Sequence, residues 1–418
     1  MIFIVVSIIT TMYLKKKYVK ITPSSIIIAF FLLIPFVGIM GYKNYIDIYG
    51  CYMGGKLNFD YPLFVWYLGA SVFTFSVLIF HIVIRDKGIP MHYVWKTEML
   101  QKSLKFFILI SLFFTLLSIV KIGYIPIFKG NIDVERFMYR NIVGDYTSKF
   151  SKLWIIAFFI SSYLFCIEVK SRKRYLLIMI VCGFFLSIYG QRMYLLICFS
   201  YFALIFIKFN KKIDFKKLIV FLAIIVLMFL SIAQLRGDWN YKLKSLSPVK
   251  QISIKTFGEW KEYSYVLNKF TNESGFLKHR IFTGVFAAIV PKQVWLMVGQ
   301  DKNELLSFNA PAYFGEYFGH YAGIRIGIIG EAYVGYGILG VVILMFVLGF
   351  LVVLLEKKYL LINKYAPELS VYVFFMSILV FLPLISFITL TTMFLYAFFL
   401  YVNTFFCRIK FSNLVNQK

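Results

Sequence analysis

Seven side chains of this sequence have the type and setting to act on an anionic substrate. Five are arginines, Arg136, Arg140, Arg192, Arg236 and Arg280, at or near the ends of apolar runs; the others are His320 and, opening a further apolar run, Glu331. The planar fork of an arginine gives a phosphate two charge-assisted hydrogen bonds and stays protonated throughout the physiological range. A group of such arginines can hold a pyrophosphate and stabilise the charge that develops as it leaves. Glu331, at the entrance to an apolar helix, can act as a general base or orient an acceptor hydroxyl in a water-poor site. His320 is the other base candidate, because an imidazole titrates close to neutrality. Each residue also has an ordinary reading: arginines pair with headgroups or cap helix ends, and an acid suits a helix's first turn.

The elements that must position these residues are membrane spans. Of 418 residues 61% are hydrophobic and 15% charged, with mean hydropathy +0.79, far from the composition of a soluble domain. Apolar runs of about 15 to 24 residues recur, close to the length a helix needs to cross a hydrocarbon core. Short alternating segments of the β-barrel kind are absent from the sequence. The expected fold is therefore all-α, a polytopic transmembrane helical bundle. About eleven spans are predicted, near 1–14, 24–42, 62–84, 104–120, 153–169, 175–189, 193–207, 218–234, 332–355, 369–388 and 390–406. Three divisions follow: transmembrane helices in 1–235, one large external loop in 236–331, and the last spans in 332–418. The N-terminus is expected to be an uncleaved first span, since its apolar stretch precedes Lys15, Lys16 and Lys17.

The excess of 45 Lys and Arg over 19 Asp and Glu fits topology better than nucleic acid, because the cations are dispersed among connectors and no recognition module is present. Lysines and arginines of alternate connectors place those connectors in the cytoplasm and the 236–331 loop outside. His81 and His92 then face the cytoplasm and are set aside. Two external features run against the charge rule: the 121–152 connector keeps Lys129, Arg136 and Arg140, and the tight Gly190-Gln191-Arg192 turn keeps an arginine. Cations held where insertion disfavours them imply an anionic partner. Within the large loop, 281–299 is apolar but broken by Pro291-Lys292, and 257–270 has helical spacing, so short amphipathic helices lying against the membrane are expected. The five cysteines form neither a disulfide framework nor a metal set. No Walker A loop, glycine fingerprint, HExxH or Asp-x-Asp pair occurs, which argues against ATP-driven and metal–nucleotide-sugar chemistry. No cofactor is implied.

Gly123-Tyr124-Ile125-Pro126-Ile127-Phe128 followed by Asp133-x-x-Arg136, the Gly190-Gln191-Arg192 turn, Arg236-Gly237 after a span, and Glu331-Ala332-Tyr333-x-x-Tyr336-Gly337 with Gly340 stand in this order along the chain. Together they resemble the oligosaccharide repeat-unit polymerases, the O-antigen polymerase (Wzy) family. The resemblance implies a GT-C-like, metal-independent inverting glycosyltransferase of the bacterial inner membrane. Such an enzyme joins undecaprenyl-pyrophosphate-linked donor and acceptor units into O-antigen or capsule-like polysaccharide on the periplasmic face, with a chain-length regulator as a possible partner. It puts Arg136, Arg192, Arg236 and Glu331 in the site. The sequence departs from the family pattern in its odd span count and in Tyr336, where an Asn-Phe or similar pair often precedes the glycine. The alternatives are an O-antigen ligase, for which a loop histidine such as His320 matters, and a flippase for the same lipid-linked units, which would place charged or broken helices near the bilayer midplane.

Overall fold

The structure is a computed structural model that describes residues 2–18, 22–49, 59–86, 93–125, 142–188, 192–209, 262–268, 276–278, 292–300, 326–384 and 387–410. The main helices are α1 (Ile2–Tyr18), α2 (Pro23–Tyr49), α3 (Asp60–Val83), α4 (Thr97–Ile122), α5 (Trp154–Ile167), α6 (Arg172–Ser187), α7 (Arg192–Phe209), α8 (Gly327–Leu361), α9 (Leu369–Leu379) and α10 (Phe387–Phe406). Two three-residue strands, β1 (Tyr93–Trp95) and β2 (Arg408–Lys410), pair antiparallel. Among the described residues, five helices are long and apolar enough to cross a membrane: Pro23–Gly41, Asp60–Val83, Thr97–Ile122, Thr147–Ile167 and Gly327–Leu361. The chain is thus a helical membrane protein. The span expected near 218–234 lies outside the described residues.

The surface of α4 reads as one made for lipid. Phe106, Leu109, Phe113, Leu116 and Val120 form a stripe at three- and four-residue spacing and are 53–78% exposed. The opposite face buries Ser111, Thr115 and Ser118 with Leu100, Leu104 and Phe107. In water this pattern would be inverted. In hydrocarbon, small polar residues belong inside, where they allow close approach and bond locally, as Ser111 does to Phe107 O at 2.5 Å.

The chain divides into two compact units, each built from separated stretches. One unit comprises Met1–Asp86, Lys242–Lys357 and Leu379–Phe394. In it α1 and α2 pack on α3, and Trp66 Nε1 donates to Phe31 O at 3.0 Å. Glycines bring α3 and α8 together: a Cβ on Gly69 would sit 2.9 Å from Val341, and one on Gly349 would sit 2.6 Å from the Ser76 hydroxyl. That hydroxyl donates to Phe346 O at 2.7 Å.

The other unit comprises Lys87–Tyr241, Lys358–Ile378 and Leu395–Lys418. Its centre is α5, against which α4, α6 and α7 pack. From Trp154 to Leu164 this helix is buried all round. Trp154 stacks on Phe185 at 4.4 Å and donates to Thr115 Oγ1 at 3.0 Å. Ser161 and Ser162 return their protons to carbonyls of their own helix, so no polar atom on this helix faces lipid unbonded. Lys208 caps the end of α8 by donating to Tyr359 O at 2.7 Å and Leu360 O at 2.8 Å.

Candidate functional site

The segment with Glu331 is a broken helix. α8 is interrupted at Tyr336 (φ −140°, ψ 21°) and Gly337 (φ 64°, ψ −151°), which separates a nine-residue piece at 327–335 from the long span after it. Such a break frees the carbonyls of Val334 and Gly335, which cannot go unbonded at membrane depth. Residues 276–278 supply the donors: Leu277 N bonds Val334 O at 2.9 Å and Lys278 N bonds Gly335 O at 2.8 Å. Lys278 holds φ 52°, a left-handed conformation that non-glycine residues rarely adopt. Two glycines make the break possible. Gly337 needs its positive φ and lies against the Phe276 ring, and a Cβ on Gly340 would meet Ala332 O at 2.5 Å. The sequence signature around Tyr333 and Gly340 is, physically, a device for interrupting a span.

Glu331 lies on the short piece, one turn before the break, and is 1% exposed. Beside it, Gly330 leaves room for the Tyr263 ring, which an added Cβ would meet at 2.9 Å. Tyr263 comes from the helical residues 262–268 of the large loop, is buried with Val266 and Leu267, and donates to Pro62 O at 3.1 Å. On the next position but one, Tyr333 shares a 2.6 Å hydrogen bond with Tyr61 and receives the edge of Phe276. A buried carboxylate is thereby carried on a short half-helix that loop segments hold on two sides. This setting suits a proton acceptor or a group that orients a hydroxyl.

Of the arginines, Arg192 begins α7, where a cation opposes the positive end of the helix dipole. Arg136, Arg140, Arg236, Arg280 and His320 lie outside the described residues. Arg280 follows in sequence two positions after Lys278, the residue that caps the break.

A second polar cluster, in the same unit, was not singled out by the sequence. His81 and Glu356 are both wholly buried and meet at 3.1 Å. Ser24, at the start of α2, donates its amide to Glu356 Oε1 at 3.1 Å and its hydroxyl to Oε2. On the other side of the imidazole, Tyr18 OH lies 3.3 Å from His81 Nδ1 and 3.4 Å from Asp86 Oδ1. Lys357 bonds Asp86 Oδ1 at 2.6 Å and Lys17 bonds its Oδ2 at 3.0 Å, while both lysines reach the His81 carbonyl. Burial pushes the Asp86 carboxyl up, but the hydrogen bonds and charges of Lys357 and Lys17 outweigh it and hold the group below its usual value. A chain of polar contacts thus runs from buried Glu356 through His81 and Tyr18 to exposed Asp86. Hydropathy puts His81 at a span end, and the structure keeps it in the last turn of α3 with its side chain wholly buried. The available signal was Glu356, the sole acid between Glu331 and Glu368, set at a span end beside Lys357 and Lys358.

Comparison with known protein families, characterised proteins and solved structures finds no match to this chain.

Proposed function

We propose that the protein is a glycosyltransferase of the bacterial inner membrane that polymerises undecaprenyl-pyrophosphate-linked repeat units on the periplasmic face. One observation carries the reading: Glu331 is buried on a short half-helix immediately before a break in its span. Broken spans and intramembrane carboxylates mark substrate sites, because both cost free energy that packing alone gives no reason to spend. In the proposed reaction Glu331 accepts the proton of the acceptor hydroxyl, whose oxygen attacks the anomeric carbon of the donor. The bond from that carbon to the pyrophosphate breaks with inversion, and the electron pair leaves on the pyrophosphate. Arg192 and Arg236 stabilise that charge, with Arg136 orienting donor or acceptor and Arg140 and Arg280 as further contacts. His320 is the alternative base.

The test is the glycan profile of a deletion strain complemented with wild type, Arg236→Ala or Glu331→Gln. Wild type is expected to restore a ladder and each variant a single-repeat band, with transfer reduced about a hundredfold or more. A full ladder in the deletion strain would remove the reading.

Two findings favour a second reading, a flippase for the same lipid-linked units: the break in α8, which is also a transporter feature, and a buried ionisable pair. The His81–Glu356 pair puts ionisable groups inside the bundle, where transporters keep their proton relays. Movement of a lipid-linked unit across reconstituted vesicles without bond formation would replace the first reading by this one.

A further inference from the structure

In the second unit, a cavity of about 180 Å³ opens among Phe165, Cys166, Arg172, Phe206, Phe209, Lys364 and neighbouring residues. Its volume is more than tenfold the ~15 Å³ a single water needs. Two cations stand in its wall beside phenylalanine rings, and Arg172 Nε donates to Phe165 O at 3.2 Å. Arg172 lies over the Phe165 ring at 5.6 Å, and Lys364 over Phe209 at 5.7 Å and Tyr365 at 5.1 Å. Among the described residues neither has an ion-pair partner. The nearby carboxylate of Glu168 is turned to Gln101 at 2.6 Å and Tyr175 at 2.8 Å.

The helix that Arg172 opens adds an independent observation. The first turn of α6 is Arg172, Lys173 and Arg174, with no acid, and Ser171 before it makes no side-chain capping bond. Cations at a helix N-terminus oppose the dipole. Two other helices, α3 and α4, carry an acid in the first turn, Asp60 and Glu98. A bound anion would offset the repulsion and neutralise Arg172 and Lys364 together.

We propose that this cavity binds the phosphate of an anionic phospholipid, with Arg172 and Lys364 on the phosphate and the rings of Phe165, Phe206 and Phe209 against the start of an acyl chain. The phenylalanine rings favour a lipid over a free anion, since inorganic phosphate has nothing to place against them. Basic clefts between spans bind anionic headgroups by the same physics.

The experiment is native mass spectrometry of the purified full chain, incubated with phosphatidylglycerol or phosphatidylcholine in neutral detergent. Wild type should retain phosphatidylglycerol about tenfold more than phosphatidylcholine, and R172Q/K364Q should lose that preference. K173Q/R174Q removes the same charge from residues that do not line the cavity, and should keep the preference. Three results would each overturn the proposal: no preference in wild type, which needs no variant to fold; equal loss in the two double variants; or complete displacement of the lipid by millimolar inorganic phosphate.

Discussion

At the scale of single residues, the two buried acids of α8 have different supports. Glu356 is held by Ser24 and His81, so its carboxylate has named partners on two other helices. Removing one member of such a buried set leaves the other unpaired in a dry place, at a cost of about 3–5 kcal/mol. Glu356→Ala is therefore expected to lower the thermal unfolding midpoint strongly in detergent, whereas H81L/E356L, which removes both partners, should recover much of the loss. An unchanged midpoint in Glu356→Ala would mean the pair contributes nothing to folding. Asp86 gives the cluster its acid limit. Its folded pKa is lowered, so its stabilisation is complete above the ordinary carboxylate value of about 3.9 and is lost as pH falls through the lower folded value. Asp86→Asn should flatten the acid limb of a stability–pH profile without altering the neutral plateau's slope.

At the scale of elements, the break in α8 is decided by glycines and by what covers it. An ordinary helix through 327–361 would be longer than the hydrocarbon core, about 52 Å at 1.5 Å per residue against about 30 Å. Interrupting it after Gly335 sets aside a half-helix for Glu331 and leaves a span for the remainder. Gly340→Ala would drive a methyl into the Ala332 carbonyl at 2.5 Å, contact that no side-chain rotation relieves. This variant is expected to lose glycan polymerisation while Gly183→Ala, whose added methyl meets only Leu195 at 3.8 Å, retains it. Equal ladders from the two strains would show that the break has no part in the activity.

At the scale of the whole molecule, the proposal fixes an orientation. Lys173, in the basic first turn of α6, belongs to the cytoplasmic side, and Lys278, exposed beside the α8 break, to the periplasmic side. In a background without native cysteines, Lys278→Cys should react with a membrane-impermeant maleimide in intact spheroplasts, and Lys173→Cys only after lysis. The reverse pattern would turn the protein over and put Glu331 on the wrong face for periplasmic polymerisation.

The sequence by itself determined the solvent and the element type. Runs such as Ile338 to Leu355 are too long and too apolar for a soluble core, and a backbone in hydrocarbon must bond within itself, which makes those runs helices. It also carried Glu331 and the Tyr336-Gly337 signature, because an acid and glycines stand out against an aliphatic background. Only the tertiary structure decided what these residues do to one another. Period and composition do not tell that Gly337 takes φ 64°, that residues 276–278 cap the opened carbonyls, or that His81, in the last turn of its helix, meets Glu356, 275 positions away. Hydropathy measures each stretch against a uniform solvent. Long-range pairing depends on which faces meet, and that is set by packing among helices, through close approaches such as Gly69 on Val341 and Gly349 on Ser76.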